Sequence, residues 1–359
     1  MKSPLLESLL LASVESGASD LILHSGRRPM LRIEGELRAV ESEAIGEDDL
    51  DALWEECAAS KGDLDYDGSI TATDGSRFRV NLLYQLGARA AILRRIRRNI
   101  PSLDSLGGPS DLLREWASVR AGIVIVSGPT GSGKSTTLAA VLEWINQSFA
   151  RHVITIEDPV EYVFESKMSI FTQRQVGIDT PSFAEGLRRS LRQNPDVILL
   201  GEIRDAASAL TAIQAAETGH LVLATLHASS CAETVERMQL LFPQAEREAV
   251  RKTLASQLLG ILCQKLIVSH KNGLALLCEY FSNEGSSRKI IIEDRLTDLS
   301  DFIARGDPQS TRSFSDSLLR LVRDDRVTEA AALEIAENSQ EFSRMLRGIT
   351  SSTQATRRQ

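Results

Sequence analysis

The nine-residue run "GPTGSGKST", Gly128 to Thr136, has glycines, a lysine and hydroxyls in the order G-x-x-x-x-G-K-[ST]. It lies between the β-branched stretch "GIVIVSG" and the helical stretch "KSTTLAAVLEWINQ". This strand-to-helix context is what a phosphate-cradling loop requires. Gly128, Gly131 and Gly133 free the backbone for positive φ and close approach, so that successive N–H groups can point at phosphate oxygens. Lys134 would reach the β- and γ-phosphates, the Ser135 hydroxyl would ligate Mg²⁺, and the following helix offers its positive end to the same anion. The candidate set for binding a nucleoside triphosphate is therefore Gly128, Pro129, Thr130, Gly131, Ser132, Gly133, Lys134, Ser135 and Thr136. A ligand-free glycine turn would need neither the lysine and hydroxyl at these places nor both flanks.

Hydrolysis asks for more: an acid that holds the metal, and a group that orients or deprotonates water. Ligands sit at the carboxyl ends of a parallel sheet, so the polar residues ending neighbouring strands are the candidates. Three runs supply them: "ITIEDPVEY" with Glu157, Asp158 and Glu161, "VILLGEIRD" with Glu202 and Asp205, and "LATLHAS" with Thr225 and His227. The second is unusual. Gly201 occupies the place where a metal-handling aspartate normally ends the strand, and the carboxylate arrives one residue late, as Glu202. Asp205 has a second explanation, as the cap of the helical run "AASALTAIQAAETG".

The elements that must position these residues follow from periodicity. From about Gly122 strands and helices alternate, which predicts a mainly parallel sheet covered by helices. Residues 1–100 read as a small mixed α/β domain, with tight turns at Glu34-Gly35 and Asp74-Gly75. "NIPSLDSLGGPS" reads as a linker, giving 101–121 as connection, 122–285 as the nucleotide domain, 286–347 as a helical region and 348–359 as a disordered tail. The apolar run "LASQLLGILCQKLIV" is interrupted by Gln257, Gln264 and Lys265 and is expected to be a core helix, not a membrane span.

Composition narrows the function classes. A formal charge of -8 with 5% aromatics argues against a general nucleic-acid binder, which needs a basic surface and stacking platforms. Cys57, Cys231, Cys263 and Cys278 form no C-x-x-C pair, so neither a zinc module nor a disulfide framework is expected, and a reducing, cytoplasmic setting fits. The opening "MKSPLLESLLLASVESG" carries Glu7 and Glu15 inside its apolar run. With Ser3 as cap, Pro4 at the first position and Gly17 beyond the end, it reads as an amphipathic helix and not as a signal peptide.

In combination, "GPTGSGKSTT", "TIEDPVEY", "NPDVILLGEIRD" and "AAETGHLVLATLH", in that order, resemble the ATPase superfamily that drives type II secretion and type IV pili. There they are the Walker A, Asp box, Walker B and His box. "GASDLILHSGRRPMLRIEGELRAV" and "RFRVNLLYQ" look like the pilus retraction branch, and the likeness runs from about residue 17 to 270. The resemblance implies a RecA-like P-loop core with a smaller PAS-like N-terminal domain, and magnesium-dependent ATP hydrolysis. It also implies a ring-shaped homo-hexamer working against an inner-membrane platform protein, on the cytoplasmic face, without inserting in the membrane. Glu202 matches the metal-associated glutamate, Glu161 the general base, His227 the histidine that senses the γ-phosphate region, and His220 the earlier histidine of the box.

Arginines complete the expectation. A two-residue strand period puts Arg77 and Arg79 on one face of "RFRVN", opposite Phe78 and Val80. The resemblance makes Arg79 and Arg94 the guanidiniums that swing onto the γ-phosphate; for Arg77 and Arg95 a solvated strand face explains the residue equally well. The chain departs from the retraction motors in two places. "NEGSSRKIIIED" keeps only Arg288 of their C-terminal helix signature, and Ala228 follows His227 where a threonine is usual. Retraction is accordingly weighed against an extension, secretion or accessory ATPase of the same superfamily, with a nucleic-acid translocase the remaining alternative.

Overall fold

Residues 3–33, 35–57, 64–96, 99–271, 273–307 and 309–348 are described by a computed structural model of the chain. Glu34 of the expected turn and the expected tail from 349 onward lie outside the described residues. The chain divides into two compact units, Met1–Arg98 with Glu161–Val163, and Asn99–Val160 with Phe164–Gln359.

The first unit begins with helix α1 (Pro4–Glu15), started as its sequence demands: the Ser3 side chain accepts from the Leu6 N–H at 3.0 Å, and Pro4 loses no hydrogen bond at the first position. Strands β1 (Asp20–His24), β2 (Met30–Ile33) and β3 (Glu36–Ala39) follow, then helix α2 (Glu47–Glu56) and strands β4 (Asp65–Thr71), β5 (Arg77–Gln85) and β6 (Ala88–Arg95). They form a six-stranded antiparallel sheet in the order β3-β2-β1-β6-β5-β4. One face buries Leu21, Leu23, Phe78, Val80, Leu82 and Leu93 with Leu6, Leu9 and Leu10 of α1 and Leu50, Leu53 and Trp54 of α2. The Asp74-Gly75 hairpin forms with three residues between the paired Ala72 and Ser76, Gly75 taking a φ of 81° that favours glycine. Glu7 of α1 accepts from the Thr73 N–H and hydroxyl, each at 2.6 Å, and ties the helix to that turn.

The second unit opens where a linker was expected. A 3₁₀ turn (Leu103–Leu106) and helix α3 (Ser110–Ser118) occupy most of that stretch. Its Gly and Pro residues separate two short helical pieces, and α3 buries Leu112, Leu113, Trp116 and Ala117 at helical spacing. Then come β7 (Gly122–Ser127), α4 (Lys134–Ser148), β8 (His152–Glu157), β9 (Ile170–Gln175), α5 (Phe183–Ser190), β10 (Val197–Leu200), α6 (Ala206–Glu217), β11 (Leu221–Leu226), α7 (Cys231–Leu240) and α8 (Gln244–Gln257). Two long strands, β12 (Leu258–Val268) and β13 (Leu274–Ser282), precede α9 (Gly285–Ile292), α10 (Leu296–Arg305), the short β14 (Thr311–Arg312), α11 (Phe314–Arg323), α12 (Glu329–Ile335) and α13 (Ser339–Leu346).

The eight-stranded sheet runs β14-β13-β12-β7-β11-β10-β8-β9, parallel from β12 to β9 and antiparallel at β13 and β14. Here one expectation fails: "LLGILCQKLIV" is the strand β12, not a helix. A leucine-rich run buried on both faces has no alternation to reveal it, and pairing between β7 and β13 outweighs leucine's helical preference. Gly260 in this strand is forced by contact, since a Cβ there would stand 2.2 Å from the Trp116 ring of α3. The helices from α9 to α13 pack on the same apolar core as the sheet, through Ile291, Leu299, Ile303, Leu318 and Phe342.

All four cysteines are free and buried. Burial pushes the Cys57 and Cys263 thiols up to about 12, and raises Cys231 and Cys278 as well. Thiolate is the reactive form. The native protein is therefore expected to show no fast thiol in a disulfide-exchange assay near neutral pH and four after denaturation. A rapid native thiol would contradict the packing described.

Candidate nucleotide-hydrolysis site

The phosphate loop leaves β7, a strand buried throughout, and enters α4 at Lys134. Gly128, Gly131 and Gly133 have φ of 145°, 78° and 88°. At Gly128 space is as limiting as φ: a Cβ would meet the Gln264 carbonyl of β12 at 2.3 Å and the Ser132 Oγ at 2.6 Å. Lys134 is nearly buried, and its ammonium donates to the Gly128 and Pro129 carbonyls, both at 2.9 Å. Ser132 is buried with its Oγ lacking any hydrogen-bond partner among the described residues, an unsatisfied group that a phosphate oxygen or its water would complete. The residues present thus fit a nucleotide phosphate chain. Below the loop, the Thr137 hydroxyl accepts from Gln264 Nε2 at 2.7 Å, fixing the first turn of α4 to β12.

The neighbouring strands end at the same edge. Register pairs Ser127 with Leu226, and Leu200 with both Ala224 and Ile156, so the residues just beyond β8, β10 and β11 converge. Four side chains meet there. His227 Nε2 lies 3.2 Å from Glu202 Oε1, Arg204 Nε donates to Glu202 Oε2 at 2.6 Å, and Arg204 Nη1 reaches Asp158 Oδ2 at 3.4 Å. Glu202 has a side chain only 18% exposed, and a carboxylate with a cation on one side and a histidine on the other is well held there.

The glycine in "LLGEI" has a physical reason. The Gly201 N–H donates to the Ile156 carbonyl at 2.8 Å, and a Cβ would stand 3.1 Å from that carbonyl oxygen and 3.2 Å from the Glu157 Cα. A side chain at this shared end would press on β8, whose backbone would have to give by a few tenths of an ångström. Thr225 Oγ1 donates to the Gly201 carbonyl at 2.5 Å and closes the junction. Gly201→Ala is expected to cost about 1–3 kcal/mol, the usual range for overpacking, in a chemical denaturation series. An unchanged midpoint would mean that the strands separate freely.

Other expected residues have surroundings of their own. Asp205 caps α6, accepting from the Ser208 N–H at 2.8 Å, so the capping explanation holds. His220 precedes β11 while His227 follows it, and six strand residues put them about 20 Å apart on opposite sheet edges. The His220 ring faces the Ala215 carbonyl and the Thr218 hydroxyl. Glu157 is nearly buried and accepts from Thr155 Oγ1 at 2.6 Å. Glu161 is exposed, within the Glu161–Val163 segment that groups with the first unit.

In that unit Arg79 and Arg94 are direct cross-strand partners on β5 and β6. They share the open face of the sheet, since the β5 burial pattern puts Phe78 and Val80 inside and Arg77 and Arg79 outside. Arg94 Nε donates to Asp20 Oδ1 at 2.8 Å, and Arg79 approaches Asp67 at 3.5 Å. Arg204 was missed by sequence reasoning; its signal is a basic residue two places after Glu202, a spacing too common to single it out. Among the described residues no group of three or more His, Cys, Asp or Glu could hold a metal by itself. Mg²⁺ shared between one or two protein oxygens and substrate phosphates would not need one. No helix among the described residues is long and apolar enough to cross a membrane.

Comparison with known proteins places the chain in a family. Residues 64–302 match the model of the family described as type II/IV secretion system protein. The chain is 36% identical over 340 residues to the type IV pilus retractation ATPase PilT of Pseudomonas aeruginosa, covering 93% of this chain and 98% of that one. It is also 36% identical to a twitching motility protein of Neisseria gonorrhoeae, over 88% of this chain and 86% of the relative. Among solved structures, the pilus retraction motor PilT with bound ADP superposes with a TM-score of 0.85 at 36% identity, covering 96% of this chain and all of that one. The expected class is thereby borne out, a RecA-like nucleotide-binding core with a smaller PAS-like α/β domain before it and helices after it. The chain belongs to the type II/IV secretion system protein family and is an ATPase of that family.

Proposed function

We propose that this protein is the motor that powers retraction of a type IV pilus, hydrolysing ATP as a ring-shaped homo-hexamer. The observation that carries the reading is the end-to-end likeness to the P. aeruginosa retraction ATPase, joined to the Glu202–Arg204–His227 cluster at the edge from which the phosphate loop springs. In this reading the N–H groups of the loop and Lys134 hold the β- and γ-phosphates. Ser135 and Glu202 are the protein oxygens that would hold Mg²⁺, which when bound would neutralise charge on the β- and γ-phosphate oxygens. As water bonds to the γ-phosphorus and the β–γ bond breaks, ADP leaving with the bridging oxygen, Glu161 takes the water's proton onto its carboxylate, and His227 reports the state of the γ-phosphate to Glu202. Arg79 and Arg94 offset negative charge as it develops in the transition state. Turnover then moves one domain of each subunit against a platform protein at the cytoplasmic face of the inner membrane.

A formal charge of -8 with 5% aromatics supports a protein partner over nucleic acid, and the helix kept at α9 around Arg288 supports retention of the C-terminal element despite its altered sequence. The test is complementation of a piliated strain deleted for this gene. The unaltered gene is expected to restore surface translocation, and Lys134→Ala is expected to fail. Restoration by Lys134→Ala would remove the motor reading.

A further inference from the structure

Helix α7 begins four residues after His227, so its first turn decides where that histidine stands. Ser230 caps it, accepting from the Glu233 N–H at 3.1 Å, and Glu233 in turn accepts from the Ser229 N–H at 2.6 Å and from the Ser229 hydroxyl. These bonds leave out the Cys231 N–H, one of the donors that a helix start leaves open. An acid is aimed at it from the sheet. Glu279, partly buried at the middle of β13, accepts from the Cys231 N–H at 2.7 Å, and burial raises its carboxyl above the usual range. Two thiols grip the same segment: Cys263 Sγ reaches the Ala228 carbonyl at 3.6 Å, and Cys231 Sγ reaches the Glu279 and Ile261 carbonyls at 3.5 and 3.7 Å. One turn further on, Thr234 Oγ1 donates to Ser127 Oγ at 2.8 Å, at the last residue of the strand that feeds the phosphate loop.

The start of α7 is therefore a junction between the phosphate-loop strand and the histidine that faces Glu202. A helix-starting amide is the positive end of the helix, and a carboxylate from the sheet is the partner that holds it most firmly. We propose that Glu279 is a positioning residue for ATP hydrolysis, which fixes the 227–230 loop in register with the phosphate loop through the N-terminus of α7. This rests on the reading of His227 and Glu202 as parts of the hydrolytic site. Misplacement of a catalytic group by about 1 Å can cost about a hundredfold in rate without touching substrate binding. The expected defect thus lies in kcat.

The test is steady-state ATP hydrolysis by the full chain carrying Glu279→Leu, Glu279→Gln, His227→Ala, and Glu279→Leu with His227→Ala. Glu279→Leu is expected to lower kcat by about tenfold or more with KM within about twofold, because ground-state binding is left intact. Glu279→Gln keeps an acceptor oxygen and is expected to restore most of the rate. In the double variant the second substitution adds little, since both act through one histidine. Should Glu279→Leu fail to fold, Cys231→Pro removes the same bond from the other side, proline being tolerated at the first helical position. Losses that multiply in the double variant, or a Gln variant as slow as Leu, would overturn the role of Glu279 alone. An unimpaired His227→Ala would instead overturn the reading of the site on which the proposal rests.

Discussion

Lys134→Ala leaves a folded protein that no longer hydrolyses ATP. The ammonium is nearly buried and held between the Gly128 and Pro129 carbonyls, so it already stands over the interior of the phosphate loop at no further ordering cost. A charge-assisted hydrogen bond to phosphate is worth about 1.5–3 kcal/mol, which lowers nucleotide affinity by roughly 10- to 100-fold when lost. Because charge develops on the leaving β-phosphate oxygens as the β–γ bond breaks, turnover falls by about a further 10²–10³. The fold survives, since the alanine only returns two loop carbonyls to water. Titration with a fluorescent ATP analogue and a phosphate-release assay separate the two losses. Magnesium-dependent turnover at the unaltered rate would show that the site lies elsewhere.

Glu202→Ala has the second largest effect, and it separates binding from turnover in the opposite way. The phosphate loop is untouched, so ATP affinity is expected to stay within a few-fold. Metal-dependent turnover is expected to fall by about a hundredfold or more, the scale of a lost preorganised electrostatic group. Removing the carboxylate also releases His227 and Arg204 from each other. Arg204 is half exposed and keeps Asp158 at 3.4 Å, so its charge is hydrated and the cost in stability is small. Phosphate release measured across a magnesium titration checks this. A curve that overlays that of the unaltered protein would remove Glu202 from the site.

The phosphate loop was legible because its chemistry is local: glycine positions, lysine and hydroxyl follow each other in one turn, and the flanking strand and helix declare themselves by period. The meaning of Gly201 was not legible, because the reason is the backbone of another strand, the Ile156 carbonyl and Glu157 Cα of β8. Strand β12 was misread for the same kind of reason. Its leucines are buried on both sides by partners far away in the chain, and a buried strand of that composition carries the same pattern as a helix. With β12 taken for a helix, Gln264 beneath the loop and Cys263 against Ala228 had no place in the site. Asp205 shows the converse: a carboxylate in suggestive company proved to be a helix cap. The linker residues 101–121 looked structureless because Ser, Gly and Pro dominate the ends of its helical turns, while the apolar spacing that builds α3 spans only Leu112 to Ala117.

The central claim is that this ATPase dismantles a pilus, and a count of surface pili by electron microscopy tests it most directly. In a strain lacking only this gene, the account predicts more pili per cell than in the parent, together with lost surface translocation. A bald or unchanged cell would contradict it: bald cells would point to filament extension or secretion, and an unchanged count to an accessory role.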